Sequence, residues 1–277
     1  MKTIRNSVFD TERALYGEKE INVVGCTFDG PADGESALKE CSNVFIDNCC
    51  FRLRYPFWHD DGLTISNSEM TDTCRAPIWY SKHINVCNSE IHGVKALREC
   101  NDVRLENCDI ISAELGWSVN TISVSNCFAE GEYMFLRSNN LNFDNFEMKG
   151  KYSFQYIENA GFKNCTFDTK DAFWHAKNIH VKNCTVKGEY LAWYCENATF
   201  ENCVIIGTQP FCYCKNLSLI DCEMHEADFS FEKSDVEAYV NSHIISIKNP
   251  RSGKISVPSV GEIIMDDENA KGKIIVG

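Results

Sequence analysis

Val44-Phe45-Ile46-Asp47-Asn48-Cys49 is the stretch that decides the fold: apolar residues alternate with others and the phrase ends in Asn-Cys. It returns as Val103-Arg104-Leu105-Glu106-Asn107-Cys108, Ile122-Ser123-Val124-Ser125-Asn126-Cys127, Ile179-His180-Val181-Lys182-Asn183-Cys184 and Ala198-Thr199-Phe200-Glu201-Asn202-Cys203. Weaker copies carry Asn67, Asn88, Asn145 and Asn164, and Asp221 closes the series. The markers therefore stand at 48, 67, 88, 107, 126, 145, 164, 183, 202 and 221, with eight intervals of 19 residues and one of 21.

A period of 2 within the phrase predicts a strand, and a 19-residue repeat is too short for a strand plus a packed helix of ordinary length. Each repeat is then a coil of strands and tight turns that buries its apolar side only by stacking on its neighbours. That predicts an all-β fold, a parallel β-helix of about 19 residues per coil with strands stacked ~4.8 Å apart. A leucine-rich repeat also has an Asn-marked strand, but its Asn lies further from the last apolar residue. The recurrent Asn suits a left-handed turn between strands, with stacked amides bonding coil to coil. Asp10-Thr11-Glu12-Arg13-Ala14-Leu15-Tyr16-Gly17 reads as a short helix, so residues 1–20 are expected to form a helical N-terminal cap. Residues 21–228 hold the regular coils and 229–277 shorter C-terminal coils, all in one domain over 1–277.

The composition narrows the partners. The chain has 277 residues and 44% hydrophobic content, enough for a core, and 27 Lys+Arg against 40 Asp+Glu give a net charge of −13. That surplus of carboxylates argues against nucleic acid or an anionic membrane surface as partner. No apolar run approaches the roughly 18 residues of a membrane helix, and the start has no apolar core of a secretory signal.

Sixteen cysteines raise the question of disulfides or metal. Cys49, Cys108, Cys127, Cys165, Cys184, Cys203 and Cys222 directly follow the marker, where a small side chain suits the inside of a turn. In-register stacking keeps their Cβ atoms near the coil spacing, longer than the ~3.8 Å of a disulfide. Reduced packing thiols are expected, and with them a reducing, cytoplasmic location. Cys49-Cys50 and Cys212-Tyr213-Cys214 lack the spacing of structural zinc sites, so no metal or other cofactor is expected.

The chemically rich positions lie nine and eight residues before the marker. Nine back are Lys39, Trp58, Trp79, Arg98, Trp117, Leu136, Gln155, Trp174, Trp193 and Cys212, a column that holds all five tryptophans. Eight back are Glu40, His59, Tyr80, Glu99, Ser118, Arg137, Tyr156, His175, Tyr194 and Tyr213. The ten-back and seven-back positions are mostly apolar or small, so a bend must lie between them. The eight-back column is expected outward, since each polar group would otherwise need a buried partner. The direction of the Trp column stays open.

The runs Gly34-Glu35-Ser36-Ala37-Leu38-Lys39-Glu40, Arg54-Tyr55-Pro56-Phe57-Trp58-His59, Cys74-Arg75-Ala76-Pro77-Ile78-Trp79-Tyr80-Ser81-Lys82, Lys95-Ala96-Leu97-Arg98-Glu99-Cys100, Asp171-Ala172-Phe173-Trp174-His175 and Gly207-Thr208-Gln209-Pro210 resemble an uncharacterised bacterial family, a domain of unknown function. The resemblance reaches Lys248-Asn249-Pro250-Arg251-Ser252-Gly253 and implies a right-handed, pectate-lyase-like β-helix. It brings no activity with it.

A row of aromatic and charged groups suits an oligo- or polysaccharide: rings can stack on sugar faces, while Arg, Glu and His bind hydroxyls or move protons. The candidate catalytic residues are His59, Asp60, Arg98, Glu99, Arg137 and His175, in a lyase or a glycoside hydrolase. The candidate binding residues are Trp58, Trp79, Tyr80, Trp117, Tyr156, Trp174, Trp193 and Tyr194, with Arg75 on the lengthened coil. Hydrolysis asks for two carboxyls about 5 to 9.5 Å apart. Glu40 and Glu99, three coils apart, would be roughly 14 Å apart, and Asp60 or Asp61 with Glu99 roughly 10 Å, at the limit for inversion. His59-Asp60-Asp61-Gly62 resembles the paired Asp of polygalacturonases, whose other motifs are missing. The alternative from another class is a non-catalytic binding or scaffold rod in which the aromatic columns only seal the coil.

Overall fold

A computed structural model describes residues 1–30 and 35–277; Gly34 of the first run quoted for the family resemblance lies outside them. The chain is an all-β parallel β-solenoid with coils of about 19 residues, and it divides into two compact units, Met1–Asn140 and Leu141–Gly277.

In the first unit one side of the coil is built by the parallel strands Lys2–Arg5, Lys19–Val24, Ser42–Asp47, Asp61–Ser66, Lys82–Cys87 and Asn101–Glu106. Their register stacks Ile21, Val44, Leu63, Ile84 and Val103 in one buried row. After the Asn turn comes a second side of short strands, among them Thr27–Phe28, Cys50–Phe51, Glu69–Met70 and Glu90–His92. A third side holds Leu38–Lys39, Phe57–Trp58 and Ile78–Trp79, paired in parallel. Inside, Phe9, Phe28 and Phe51 stack at ring distances of 4.9 and 4.6 Å. Each fully buried Phe contributes about 2 to 3 kcal/mol of transfer free energy.

The second unit repeats this plan. Ala160, Ile179, Ala198 and Leu217 stack at steps of 19 residues, and Phe154 lies on Phe173 at 5.2 Å inside. Towards its end the steps change: Val236 pairs with Gly253, and His243–Lys248 pairs with Ser259–Ile264 by the register His243 to Ser259.

The helical N-terminal cap does not form. Residues 11–17 are a turn, and Lys2–Arg5 pairs with Lys19–Val24 as the strand of a first coil. The N–H groups of Arg13, Leu15 and Gly17 donate sideways to the carbonyls of Glu35, Ala37 and Lys39 at 2.9, 2.8 and 3.0 Å. A helix over these residues would need the Leu15 and Gly17 donors for its own i→i−4 bonds, so stacking on the next coil outcompetes the helical pattern.

Every marker takes the left-handed turn: Asn48, Asn67, Asn88, Asn107, Asn126, Asn145, Asn164, Asn183, Asn202 and Asp221 have φ between 48° and 54°. The amide ladder is present, with Asn107 donating to Asn88 at 3.1 Å and Asn202 to Asn183 at 3.0 Å. A second ladder, unforeseen from the sequence, runs five residues before the marker, where Asn178, Asn197 and Asn216 each donate one coil back at 2.9 to 3.0 Å. All sixteen cysteines lie among the described residues and are free thiols, fourteen of them buried and Cys50 and Cys87 half-buried. Those after the marker do more than pack. The sulfurs of Cys49, Cys127 and Cys184 each accept the backbone N–H of the preceding coil's Cys26, Cys108 and Cys165 at 3.3 Å.

Candidate functional site

The bend expected beside the aromatic columns is a run of left-handed residues. The eight-back residue has positive φ throughout, from 51° at Tyr80 to 62° at Tyr213. That turn lets the ten-back and seven-back side chains both point inward. The nine-back residues are half-buried, including all five tryptophans, except for the buried Cys212, and the eight-back residues are exposed except for the half-buried His175 and Tyr213.

In the first unit the nine-back column stacks in two groups. The Lys39 ammonium lies 4.4 Å from the Trp58 ring, Trp58 stacks on Trp79 at 5.5 Å, and the Arg98 guanidinium lies 5.0 Å from Trp117. Beside it His59 stacks on Tyr80 at 5.2 Å, and the Tyr80 hydroxyl donates to Glu99 at 3.4 Å. Arg98 also reaches Glu114 at 3.4 Å and Glu99 at 3.8 Å. The structure thus brings together His59, Tyr80, Glu99, Arg98, Trp58, Trp79 and Trp117; Arg137 continues the exposed column in the same unit.

The second unit holds Tyr156, His175, Trp174, Trp193 and Tyr194. Tyr156, His175, Tyr194 and Tyr213 form one ladder with ring distances of 4.8 Å and interplanar angles of 5° to 11°. Trp174 and Trp193 stack at 5.2 Å and 3°.

Two expectations need correcting. Trp58, His175 and Tyr194 have both ring faces covered by rings or a cation of the neighbouring coils, so they have no free face to lay on a sugar and present edges, a hydroxyl and ring nitrogens instead. The second correction is Asp60. It is 2% exposed and turned into the interior, on the opposite side of the chain from His59. Counting seven back from Asn67 already puts it in the buried column with Cys41, Ser81 and Cys100, so spacing alone could have shown its place. Burial, then the nearby Glu40 carboxylate, push its carboxyl up to about 8.

Arg75 sits at φ 59° and ψ −60°, and the Ala76 N–H donates to the Cys74 carbonyl at 2.7 Å. This is the strained, positive-φ γ-turn, at the coil with two extra residues. A cavity of about 780 Å³ lies near that insertion, lined by Asp29, Gly30, Arg52, Leu53, Arg54 and Thr71 to Thr73. Among the described residues no three His, Cys, Asp or Glu side chains gather as a metal ion would need, and no helix is long and apolar enough to cross a membrane.

The backbone is similar to several solved structures. They include the A-module of the mannuronan C-5 epimerase AlgE4 of Azotobacter vinelandii (TM-score 0.37, 10% identity, 87% of this chain and 88% of that one). PfbA, a surface adhesin of Streptococcus pneumoniae, gives a TM-score of 0.40 at 10% identity over 91% of this chain and 76% of that one. The GH136 lacto-N-biosidase of Eubacterium ramulus gives 0.33 at 11% identity over 99% and 61%. Likeness at this level carries nothing about chemistry. A search of the curated proteins found no match. One family model, however, matches residues 2–276, and the chain belongs to that family, described as Protein of unknown function (DUF3737).

Proposed function

We propose that the protein is a non-catalytic carbohydrate-binding solenoid that holds an oligo- or polysaccharide along the outward row of its first unit. The carrying observation is that row itself: Glu40, His59, Tyr80 and Glu99 stand one coil apart on exposed positions, flanked by Lys39 and Arg98. A repeating line of carboxylate, imidazole and hydroxyl groups suits a polymer of repeating hydroxylated units, bound through hydrogen bonds to ring edges.

Binding is favoured over hydrolysis by the carboxyls. Glu40 and Glu99 are three coils apart, roughly 14 Å at ordinary strand spacing, beyond the reach of a hydrolytic pair. Of the two carboxyls that would have narrowed that gap, Asp60 is buried in the interior and Asp61 is engaged by His83 at 2.6 Å and Lys82 at 3.1 Å. The test is a glycan array followed by incubation of each bound glycan with the protein. Binding without products is expected, with loss of binding in Tyr80→Phe and Glu99→Gln. Shortened or unsaturated products would make the protein an enzyme, and no bound glycan would leave the row a surface of the scaffold.

A further inference from the structure

The buried column seven residues before the marker has a demanding chemistry. Its side chains accept an inward N–H from the preceding coil: Val119 N–H donates to Ser138 Oγ at 3.0 Å and Cys214 N–H to Ser234 Oγ at 2.8 Å. They also donate to carbonyls, as Ser81 does to Trp79 at 3.0 Å, Ser138 to Gly116 at 2.7 Å and Cys195 to Phe173 at 2.9 Å. A polar group in this column needs both an acceptor and a donor, which hydroxyls and thiols supply.

Asp60 fills the acceptor half, taking the Cys41 N–H on Oδ1 at 2.8 Å. Its own N–H donates to Ser81 Oγ at 3.0 Å. Oδ2 is buried and has no hydrogen-bond partner among the described residues. A carboxylate is acceptor-only and would leave a charged, unpaired Oδ2 in the interior, whereas a carboxylic acid is neutral and carries an O–H, as the hydroxyls and thiols of the column do; the Cys41 and Trp58 N–H groups favour the charged form, but burial outweighs them. We propose that Asp60 is a neutral carboxylic acid standing in for a hydroxyl, and that its ionisation loosens the coil that carries Trp58 and His59.

The surroundings support this. Within the column the titratable neighbours are the thiols of Cys41 and Cys100, both pushed up to about 12 chiefly by burial, with Asp60 among the further causes. Lys39 and Glu40 on the preceding coil, His59 and Asp61 on its own, and Tyr80 and Lys82 on the next all lie on outward or half-buried positions. The cations among them are engaged there: Lys39 over Trp58, and Lys82 with Asp61 at 3.1 Å. Glu40, held by the Tyr16 hydroxyl at 2.7 Å, adds negative charge. Burial places the ionisation near pH 8, so the acid form is the folded form at neutral pH.

The test is amide hydrogen exchange on the full chain from pH 6 to pH 10, corrected for intrinsic exchange, with Asp60→Ser and Asp60→Asn alongside; the amide of the second also supplies a donor and an acceptor. In the wild type, peptides covering 39–42 and 57–61 should lose protection from pH 6 to about pH 8 by about tenfold per pH unit, the slope of one proton released on opening, and level off above it, while peptides covering 193–197 stay level throughout. Both variants should abolish that slope. The same slope in either variant, or a carboxyl carbon-13 signal showing Asp60 ionised at pH 6 in the wild type, overturns the proposal.

Discussion

Two tryptophan pairs occupy the same column and look alike, yet one is finished and the other is not. Trp174 and Trp193 donate their indole N–H groups to the carbonyls of Tyr190 and Gln209, both at 2.7 Å. Trp58 and Trp79 are stacked too, but their indole nitrogens are buried with no acceptor among the described residues. The acceptor decides the difference. Where the bond forms, the carbonyl belongs to the residue 16 positions on, and that residue is left-handed: Tyr133 for Trp117, Asp171 for Gln155, and Tyr190 and Gln209, with φ of 51° to 58°. The corresponding residue is Ala76 for Trp58, allowing for the two inserted residues, and Lys95 for Trp79. Neither is left-handed, and at the first of these corners the left-handed residue is Arg75 instead. A column of like residues is therefore not a column of like environments, because backbone one coil away completes each site.

The largest test of the contrast lies beneath the pairs, where Asp60 and Ser81 underlie Trp58 and Trp79, and Ala176 and Cys195 underlie Trp174 and Trp193. Asp60 is raised from 3.8 to about 8 in the fold. Between those values the folded chain keeps a proton that the unfolded chain has lost, so stability falls as pH rises from about 4 to about 8 and levels beyond. The ceiling is about 6 kcal/mol. Asp60→Ser should remove this fall, raising urea stability at pH 8.5 well above wild type while differing little at pH 4; equal gains at both pH values would refute the buried acid. Next in size, Trp193→Ala should cost about 3 kcal/mol and exceed Trp79→Ala by about 1 kcal/mol for the lost hydrogen bond. Equal costs in urea unfolding would erase the distinction.

Substitution by Phe isolates the N–H. Trp174→Phe and Trp193→Phe each leave a carbonyl without its donor and should lose about 1 kcal/mol more than Trp58→Phe and Trp79→Phe, which remove an already unpaired donor. Smallest is Arg75→Gly. Glycine relieves the positive-φ strain but adds backbone entropy to the unfolded chain, for a net gain of about 0.5 kcal/mol in thermal or urea unfolding. A loss there would mean that the Arg75 side chain holds the corner.

The 19-residue spacing and the period-2 phrase were enough to establish the coil, its parallel stacking and the left-handed Asn, because every repeat carries the same local instruction and neighbours only reinforce it. The same counting located the exposed column of Glu40, His59, Tyr80 and Glu99, and it contained the burial of Asp60. Stacking itself decided the rest. Residues 11–17 have helical spacing but spend their N–H groups on the next coil. The aromatic residues have the composition of a sugar-binding face but spend their ring faces on one another. Spacing assigns each residue to a side of the coil; only the neighbouring coil determines which donors, acceptors and ring faces remain to be used.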